Sequence, residues 1–155
     1  MLPDILQSIN QLLALDTNDD AEKQQVFAQS DDPELQALSN KLSTRDILII
    51  ATIAQADPYP QKALPQQVNT SQPTASRAVE RLVKLHLVLR QRIPNNQKEW
   101  QLALTPLGQK VATAKQALNQ TLLKQAAVVA SHYTPEELQR FDQFIQEIIA
   151  LKVPR

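Results

Sequence analysis

Apolar positions along the chain recur mostly at steps of three and four residues, the spacing of helices that bury one face. Near the N-terminus this spacing holds Leu2, Ile5, Leu6, Ile9, Leu12 and Leu13. After an acidic break at Asn18-Asp19-Asp20, shorter helical patterns run through Val26-Phe27 and residues 35–42. The dense apolar run at residues 47–53 predicts a central buried helix. Asp57-Pro58-Tyr59-Pro60 ends it, because proline lacks an N–H and forces the preceding residue into an extended conformation.

Two further helices are predicted in the C-terminal third of the chain. Pro106 opens a long one, with apolar positions at Val111, Leu118, Leu122 and Val128-Val129. Thr134 is expected to cap the last helix, because Pro135 fits its first position and Glu137 can complete a capping box. The pattern as a whole predicts a mainly helical protein.

The first and last helices carry more apolar surface than one small domain is expected to cover. We expect a dimer interface to include Ile5, Ile9, Leu12, Leu138, Phe141, Phe144, Ile145 and Ile148. An apolar helix face without a partner in its own chain is commonly covered by another copy. The alternative is that both helices fold back on the core of their own chain.

Residues 69–82 are typical of a helix-turn-helix. Asn69 belongs to the few non-glycine residue types that adopt the left-handed conformation with which a helix ends and the chain turns. Ser71 can cap the second helix with its side-chain oxygen, and Pro73 is tolerated in a first turn, where N–H groups have no intrahelical partner. The start of the second helix is therefore well marked.

This second helix has an apolar face and a polar face. The apolar positions recur at helical spacing at Ala75, Ala78, Val79, Leu82 and Leu85. The polar side carries Ser76, Arg77, Glu80, Arg81 and Lys84. The first two turns hold side chains that can hydrogen-bond base edges in the DNA major groove, namely Gln72, Thr74, Ser76 and Arg77. The alternative is an ordinary amphipathic helix with a solvated polar face.

A β-hairpin is predicted directly after this helix. Residues 87–93 are β-branched and apolar, and residues 99–104 alternate polar and apolar side chains, with a turn at residues 94–98. Trp100 is expected to pack in the core. A hairpin in this place is a wing, which can lie along the DNA backbone or reach into the minor groove.

The predicted fold is therefore mainly α with a small β-hairpin wing. It is a winged helix-turn-helix at residues 44–106, preceded by acidic dimerisation helices at 1–43 and followed by long dimerisation helices at 107–155.

Several motifs occur in a fixed order along this plan. They are Leu42-Ser43-Thr44-Arg45-Asp46-Ile47-Leu48, residues 82–90 leading into the wing, Leu104-Thr105-Pro106-Leu107-Gly108, and Tyr133-Thr134-Pro135-Glu136-Glu137-Leu138. With them, nearly all of the chain from residue 42 onward resembles the MarR family of bacterial winged-helix regulators. The resemblance implies a homodimer that binds a pseudo-palindromic operator in double-stranded DNA, acts as a repressor, and responds to a small molecule or another signal.

The chain departs from the family pattern at four positions. The family has a carboxylate and an arginine in the wing where this chain has Asn96 and Lys98. Lysine is a strongly hydrated point charge, so it suits a phosphate contact better than insertion into a narrow minor groove. His86 stands where relatives usually have glycine, and Pro65 stands in the first helix of the motif, so both helix ends are expected to be altered.

The predicted DNA contacts are Ser71, Gln72, Thr74, Ser76, Arg77, Arg81, Lys84, Arg90 and Lys98. The uneven charge along the chain agrees with this assignment. Residues 59–104 hold seven basic and two acidic residues, a net charge of +5, whereas residues 1–43 hold two basic and eight acidic ones, a net charge of −6. Positive potential is thus concentrated where phosphates would be met, although the whole chain is neutral.

Composition narrows the functional classes. The 155 residues contain no cysteine, which excludes disulfides and thiol sensing, and two distant histidines, His86 and His132, make a poor metal site. No metal or cofactor is expected. No apolar run reaches the length that a bilayer requires and no signal peptide is recognisable, so we expect a cytoplasmic protein.

Two other functional classes fit the sequence less well than a DNA-binding regulator does. An enzyme is disfavoured, because the chain has no glycine-rich phosphate loop and no clustered histidines. A winged helix that binds another protein through its hairpin and never touches DNA is the remaining alternative, and the basic residues of the motif argue against it.

Overall fold

The computed structural model describes residues 1–16 and 19–152. In chain order the elements are α1 (Leu2–Asp16), α2 (Asp19–Phe27), α3 (Pro33–Ala37), α4 (Thr44–Ile53), β1 (Tyr59–Pro60), α5 (Leu64–Gln67), α6 (Gln72–Lys84), β2 (Val88–Ile93), β3 (Asn96–Leu104), α7 (Pro106–Ala130) and α8 (Pro135–Lys152). A short 3-10 helix, Gln61–Ala63, precedes α5. The predicted fold class, mainly α with a small β-hairpin wing, is confirmed.

Two of the predicted N-terminal boundaries differ from the structure. Asn18 lies outside the described residues, and Asp19 and Asp20 belong to α2 and not to a break. Of the helix predicted at residues 35–42, only the first part is helical, because α3 gives way to turns in which Leu38 and Leu42 remain buried.

One hydrophobic core joins the six helices α2 to α7 with the sheet. Its largest fully buried side chains are Leu35, Leu42, Ile47, Ile49, Ile50, Ile53, Leu64, Leu82, Leu87, Leu102, Val26 and Val79. The long helix α7 contributes only its first half, through Val111, Ala112, Ala114 and Leu118. The chain divides into two compact units, Met1–Leu118 and Asn119–Arg155, and the domain boundaries drawn from the sequence stay predictions.

Helix ends follow the local chemistry of their sequences. Ser43 and Asp46 form a capping box at the start of α4. Thr134 and Glu137 form the predicted one at α8, where the Thr134 N–H donates to Glu137 Oε2 at 3.0 Å and the Glu137 N–H to Thr134 Oγ1 at 3.2 Å. Asn69 has a φ of 52°, as its place in the turn before α6 requires.

The sheet has three strands in the order β1-β3-β2, all antiparallel. β1 was not predicted from the sequence; it pairs Tyr59 with Leu102 and makes β3 the central strand. The turn is shorter than the predicted one at residues 94–98. Only Pro94 and Asn95 connect the strands, with a φ of 74° at Asn95 that suits the third residue of a type II turn. Arg92 pairs with Trp100 and Ile93 with Asn96, so residues 97–99 bulge from the ladder.

The start of α7 packs closely against the residues that follow α6. The backbone N–H of Thr105 donates to the Leu87 carbonyl at 3.1 Å. The Thr105 hydroxyl donates to the His86 carbonyl at 2.6 Å and accepts from Gly108 N at 3.0 Å. Gly108 is the only glycine of the chain, and a Cβ there would lie 2.1 Å from the Leu87 carbonyl oxygen. The glycine therefore permits this close approach.

Two ion pairs connect α7 with the N-terminal region. Lys115, on α7, pairs with Glu22, and Lys110 pairs with Asp32 at 2.5 Å. The hydrogen bond from the Lys110 ammonium, helped by the backbone N–H of Glu34, lowers the pKa of the Asp32 carboxyl, and the same bond raises the pKa of Lys110.

The residues predicted to form a dimer interface lie outside the hydrophobic core. Leu12, Leu138 and Phe141 are exposed. The other members of the set are half-buried, namely Ile5, Ile9, Phe144, Ile145 and Ile148. Within the described part of the chain, no helix is long and apolar enough to cross a membrane.

Candidate nucleic-acid interface

Both ends of α6 are fixed by local hydrogen bonds. At its start, Ser71 Oγ accepts from the backbone N of Thr74 at 3.3 Å, as predicted. At its end, His86 has a φ of 60°, its N–H donates to the Val83 carbonyl, and the Leu87 N–H donates to the Leu82 carbonyl, each at 3.0 Å. These bonds form a Schellman motif, so His86 takes the left-handed place that glycine commonly fills.

The buried side of α6 holds the helix against the core and leaves its polar side outward. Ala75, Ala78, Val79 and Leu82 are buried, and Leu85 is partly buried against the core. Gln72, Arg77 and Lys84, three of the predicted DNA contacts, are exposed. Thr74 and Ser76 are half-buried, and the hydroxyl of Ser71 already serves the helix start.

One flank of α6 borders a groove beside the start of α4. We call it the arginine groove after Arg45, Arg77 and Arg81, which line its cavity of about 590 Å³ together with Thr74 and Leu48. Asp46 lines the same cavity, so three guanidinium groups and one carboxylate leave the groove with a net positive charge that attracts anions. Arg45 was missed as a candidate, because nothing in its local sequence indicates that it lies next to α6.

Arg81 is held in the arginine groove by Asp46. The Asp46 side chain is only 2% exposed, its Oδ1 accepts from the Arg81 guanidinium, and its Oδ2 accepts from Ser43 N at 2.9 Å. This buried carboxylate thereby joins α6 to α4. The Arg81 side chain is still 52% exposed, so it combines a structural contact with access to solvent.

The other flank of α6 faces the wing, the hairpin of β2 and β3. Arg90, a predicted DNA contact, has only 20% of its side chain exposed, and its guanidinium lies 3.7 Å from Glu80 of α6 and 4.2 Å from the centre of the Trp100 ring. Arg92 lies 4.0 Å from the centre of the same ring. The expectation that Trp100 packs in the core is wrong, because the ring is half-buried beneath two guanidinium groups.

Lys98 lies in the bulge of β3 and is exposed. Its backbone N donates to Asn96 Oδ1 at 3.1 Å, so the amide at the position of the family's carboxylate orders the bulge. The next residue, Glu99, pairs with Lys62 at 3.0 Å. Lys98 also lines a small cavity of about 90 Å³ with Gln72 and Ser76, so the wing and the first turns of α6 adjoin.

The polar groups that the fold brings together are thus suited to binding an extended anion. Exposed hydrogen-bonding side chains on α6 lie between the arginine groove on one side and the wing on the other. Within residues 1–16 and 19–152, no three histidine, aspartate or glutamate side chains group so that they could hold a metal ion.

Comparison with known proteins agrees with this architecture. Curated protein sequences give no match. Among solved structures, the fold is similar to ZitR of Lactococcus lactis, which was solved in complex with DNA. The two sequences are 14% identical, the match covers 99% of this chain and 98% of that chain, and the TM-score is 0.74. It is also similar to the adhesin competence repressor AdcR of Streptococcus pyogenes, with 17% identity, 97% and 96% covered, and a TM-score of 0.71.

A third similar structure is the PcaV transcriptional regulator of Streptomyces coelicolor, solved with its natural ligand, at 18% identity, with 70% of this chain and 74% of that chain covered and a TM-score of 0.52. A model of the MarR family matches residues 42–100, which contain α4, α6, β2 and most of the site described above. With its winged helix-turn-helix and this match, the chain is similar to the MarR family over residues 42–100.

Proposed function

We propose that the chain is a sequence-specific regulator that binds double-stranded DNA as a homodimer, acts as a repressor in the cytoplasm, and recognises a pseudo-palindromic operator. The observation that carries the proposal is the exposed polar side of α6 between two cationic flanks. A recognition helix needs hydrogen-bonding side chains for base edges and cations beside them for phosphates. ZitR, whose fold is similar, was solved in complex with DNA, which supports the proposal.

Exposure and ion pairing suggest different roles for the candidate residues. Gln72 and Arg77 are exposed at the start of α6, where a recognition helix meets base edges. Lys84 and Lys98 are exposed cations suited to phosphates. Arg81 is paired with Asp46 and Arg90 with Glu80, so each offers a phosphate less net charge than Lys84 or Lys98 does. Ser71, Thr74 and Ser76 complete the proposed interface.

Exposed apolar side chains support a homodimer. On α1, Leu12 is 67% exposed, and on α8, Phe141 is 57% exposed and Leu151 is 83% exposed. Leu123 and Val128, in the second half of α7, are exposed to a similar extent. Apolar surface of this kind marks association sites, and a two-fold dimer would match the symmetry of a palindromic operator.

We also propose that a small molecule or another signal controls DNA binding. PcaV was solved with its natural ligand, and ZitR of Lactococcus lactis is zinc-responsive, which supports control of this similar fold by a small molecule or another signal. MarR-family regulators are generally non-enzymatic transcription factors, and the proposal includes no catalytic activity.

Selection of binding sites from random DNA tests the proposal directly. We expect recovered duplexes to contain two inverted half-sites whose centres lie about one helical turn apart, roughly 10 base pairs, or a multiple of it. Arg77→Ala should weaken the selected site by about 1 to 3 kcal/mol, with specificity relaxed at one base pair if Arg77 reads a base. Gln91→Ala, an exposed change in the wing, serves as a control.

Two results would contradict the proposal. One is recovery of no common sequence by the folded protein. The other is a scattering mass of one 17.4 kDa chain, and not two, at micromolar concentration, which would remove the homodimer.

A further inference from the structure

The wing holds a cation stacked on an aromatic ring, and this cation, Arg92, is not among the predicted DNA contacts. Arg92 and Trp100 are directly paired across β2 and β3, and the Arg92 guanidinium lies 4.0 Å from the centre of the Trp100 ring. A guanidinium at this distance from an indole face is attracted by the ring quadrupole, and its planar shape allows it to stack. Arg92 is one residue from the end of β2, so the pair lies next to the hairpin turn.

Arg92 differs from Arg90, its neighbour on the same face of β2, in the availability of its charge. Arg90 is paired with Glu80 and has only 20% of its side chain exposed. Arg92 is exposed, and it forms no ion pair with any carboxylate in the described part of the chain. An aromatic ring orients a guanidinium and leaves its positive charge uncompensated. A paired carboxylate would instead bring the net charge of the two groups close to zero.

Trp100 itself is held in place from several sides. It belongs to β3, the central strand, and lines the small cavity that Gln72 and Ser76 of α6 also line. The adjacent residue, Glu99, is paired with Lys62. The ring therefore lies beside the helix-turn-helix, and it orients Arg92 through the stacking contact.

We infer that Arg92 is the wing residue that enters the minor groove beside each half-site, and that Trp100 is its positioning residue. The inference rests on the proposed function and deepens it. A guanidinium is weakly hydrated and suits the narrow minor groove of A·T-rich DNA, whereas the Lys98 ammonium suits a phosphate. Arg92 on β2 thus supplies the planar guanidinium that Lys98 does not have.

The experiment compares operators that share the selected half-sites and differ only in flanks that are A·T-rich or G·C-rich. The native protein should bind the A·T-flanked duplex about tenfold more tightly, and Arg92→Ala should lose that preference. Lys98→Ala should weaken both duplexes by similar factors and keep the preference. Gln91→Ala, on the opposite face of β2 and exposed, should leave both affinities unchanged.

Trp100 provides a separate readout, because it is the only tryptophan of the chain. Its emission should change when the A·T-flanked duplex binds, and this change should be much smaller in Arg92→Ala. Trp100→Phe keeps a ring face and should retain most of the flank preference, whereas Trp100→Leu should lose it. Arg92→Gln repeats the test with a polar side chain if Arg92→Ala affects folding.

The outcomes separate the inference from the proposed function. If the native protein binds no selected site, the proposed function fails. If the native protein binds but Arg92→Ala keeps the flank preference, or weakens both duplexes equally, the assignment of Arg92 to the minor groove is overturned while the proposed function stands. Equal flank preferences in Trp100→Leu and the native protein would overturn the positioning role.

Discussion

Arg81→Ala should destabilise the protein, although Arg81 lies on the outward side of α6. The substitution removes the charged donor of Asp46 Oδ1, and that carboxylate is only 2% exposed. Leaving a buried acceptor without a partner costs about 1 to 3 kcal/mol, and breaking a fully buried ion pair costs about 3 to 5 kcal/mol.

Two details of the structure determine where in this range the effect falls. Oδ2 of Asp46 keeps its hydrogen bond from Ser43 N at 2.9 Å, and the Arg81 side chain is 52% exposed, so water can enter the place that it leaves. We therefore expect a loss of about 2 kcal/mol in the free energy of unfolding. For a chain of this length, that corresponds to a melting temperature lower by about 4 to 8 °C.

Urea unfolding at pH 7 measures this loss, at one fixed protomer concentration because association would contribute to stability. Arg77→Ala is the matched control, since Arg77 lies one turn earlier, is exposed, and forms no ion pair with a described carboxylate. Its effect on unfolding should stay within about 0.5 kcal/mol.

A double-mutant cycle isolates the pair itself. In an Asp46→Asn background, which has no carboxylate to leave unpaired, Arg81→Ala should cost much less than in the native protein. If Arg81→Ala unfolds at the native urea concentration, or if the two substitutions are simply additive, the Asp46–Arg81 contact does not hold α6 to α4 and the reasoning is refuted.

Three further predictions follow from other contacts. Gly108→Ala should lower the free energy of unfolding by about 1 to 3 kcal/mol, because the alanine Cβ would meet the Leu87 carbonyl. This cost should exceed the gain from the better helix propensity of alanine. Unchanged urea unfolding would contradict the prediction. Ser71→Ala should cost about 1 kcal/mol in the same assay, since Thr74 N loses the cap of α6, and no loss would show that the cap is dispensable. The folded protein lowers the pKa of Asp32, so the Asp32–Lys110 pair stabilises the protein at pH values above 3.8, the ordinary pKa of the carboxyl. This stabilisation is lost as the pH falls through the pKa of the folded state. If Asp32→Asn and the native protein lose stability equally in acid, this prediction is wrong.

Structural features that depend on residues only a few positions apart could be predicted from the sequence. The left-handed Asn69, the cap at Ser71 and the capping box of Thr134 with Glu137 each involve residues within three positions of one another, and the structure contains all of them. Periodicity identified the buried face of α6 for the same reason, since helix geometry alone relates positions three and four apart.

The sheet was predictable only in part. Alternation indicated the two wing strands, but β1 has only two residues, Tyr59–Pro60, and is a strand only because it pairs with β3. The bulge at residues 97–99 likewise depends on the register between Arg92 and Trp100. Neither feature has a sufficient signal in its own residues.

The availability of charge for a ligand was decided by tertiary structure. Arg77 and Arg81 are one helical turn apart and look equivalent in the sequence, yet only Arg81 meets Asp46, a residue 35 positions earlier. Arg90 and Arg92 look equivalent on β2, yet only Arg90 meets Glu80. The sequence determined which cations share a face, because helix and strand geometry are local. Only the packing of α4 and the wing beside α6 decided which of them keep unpaired charges, because an ion pair depends on distances between elements far apart in the chain.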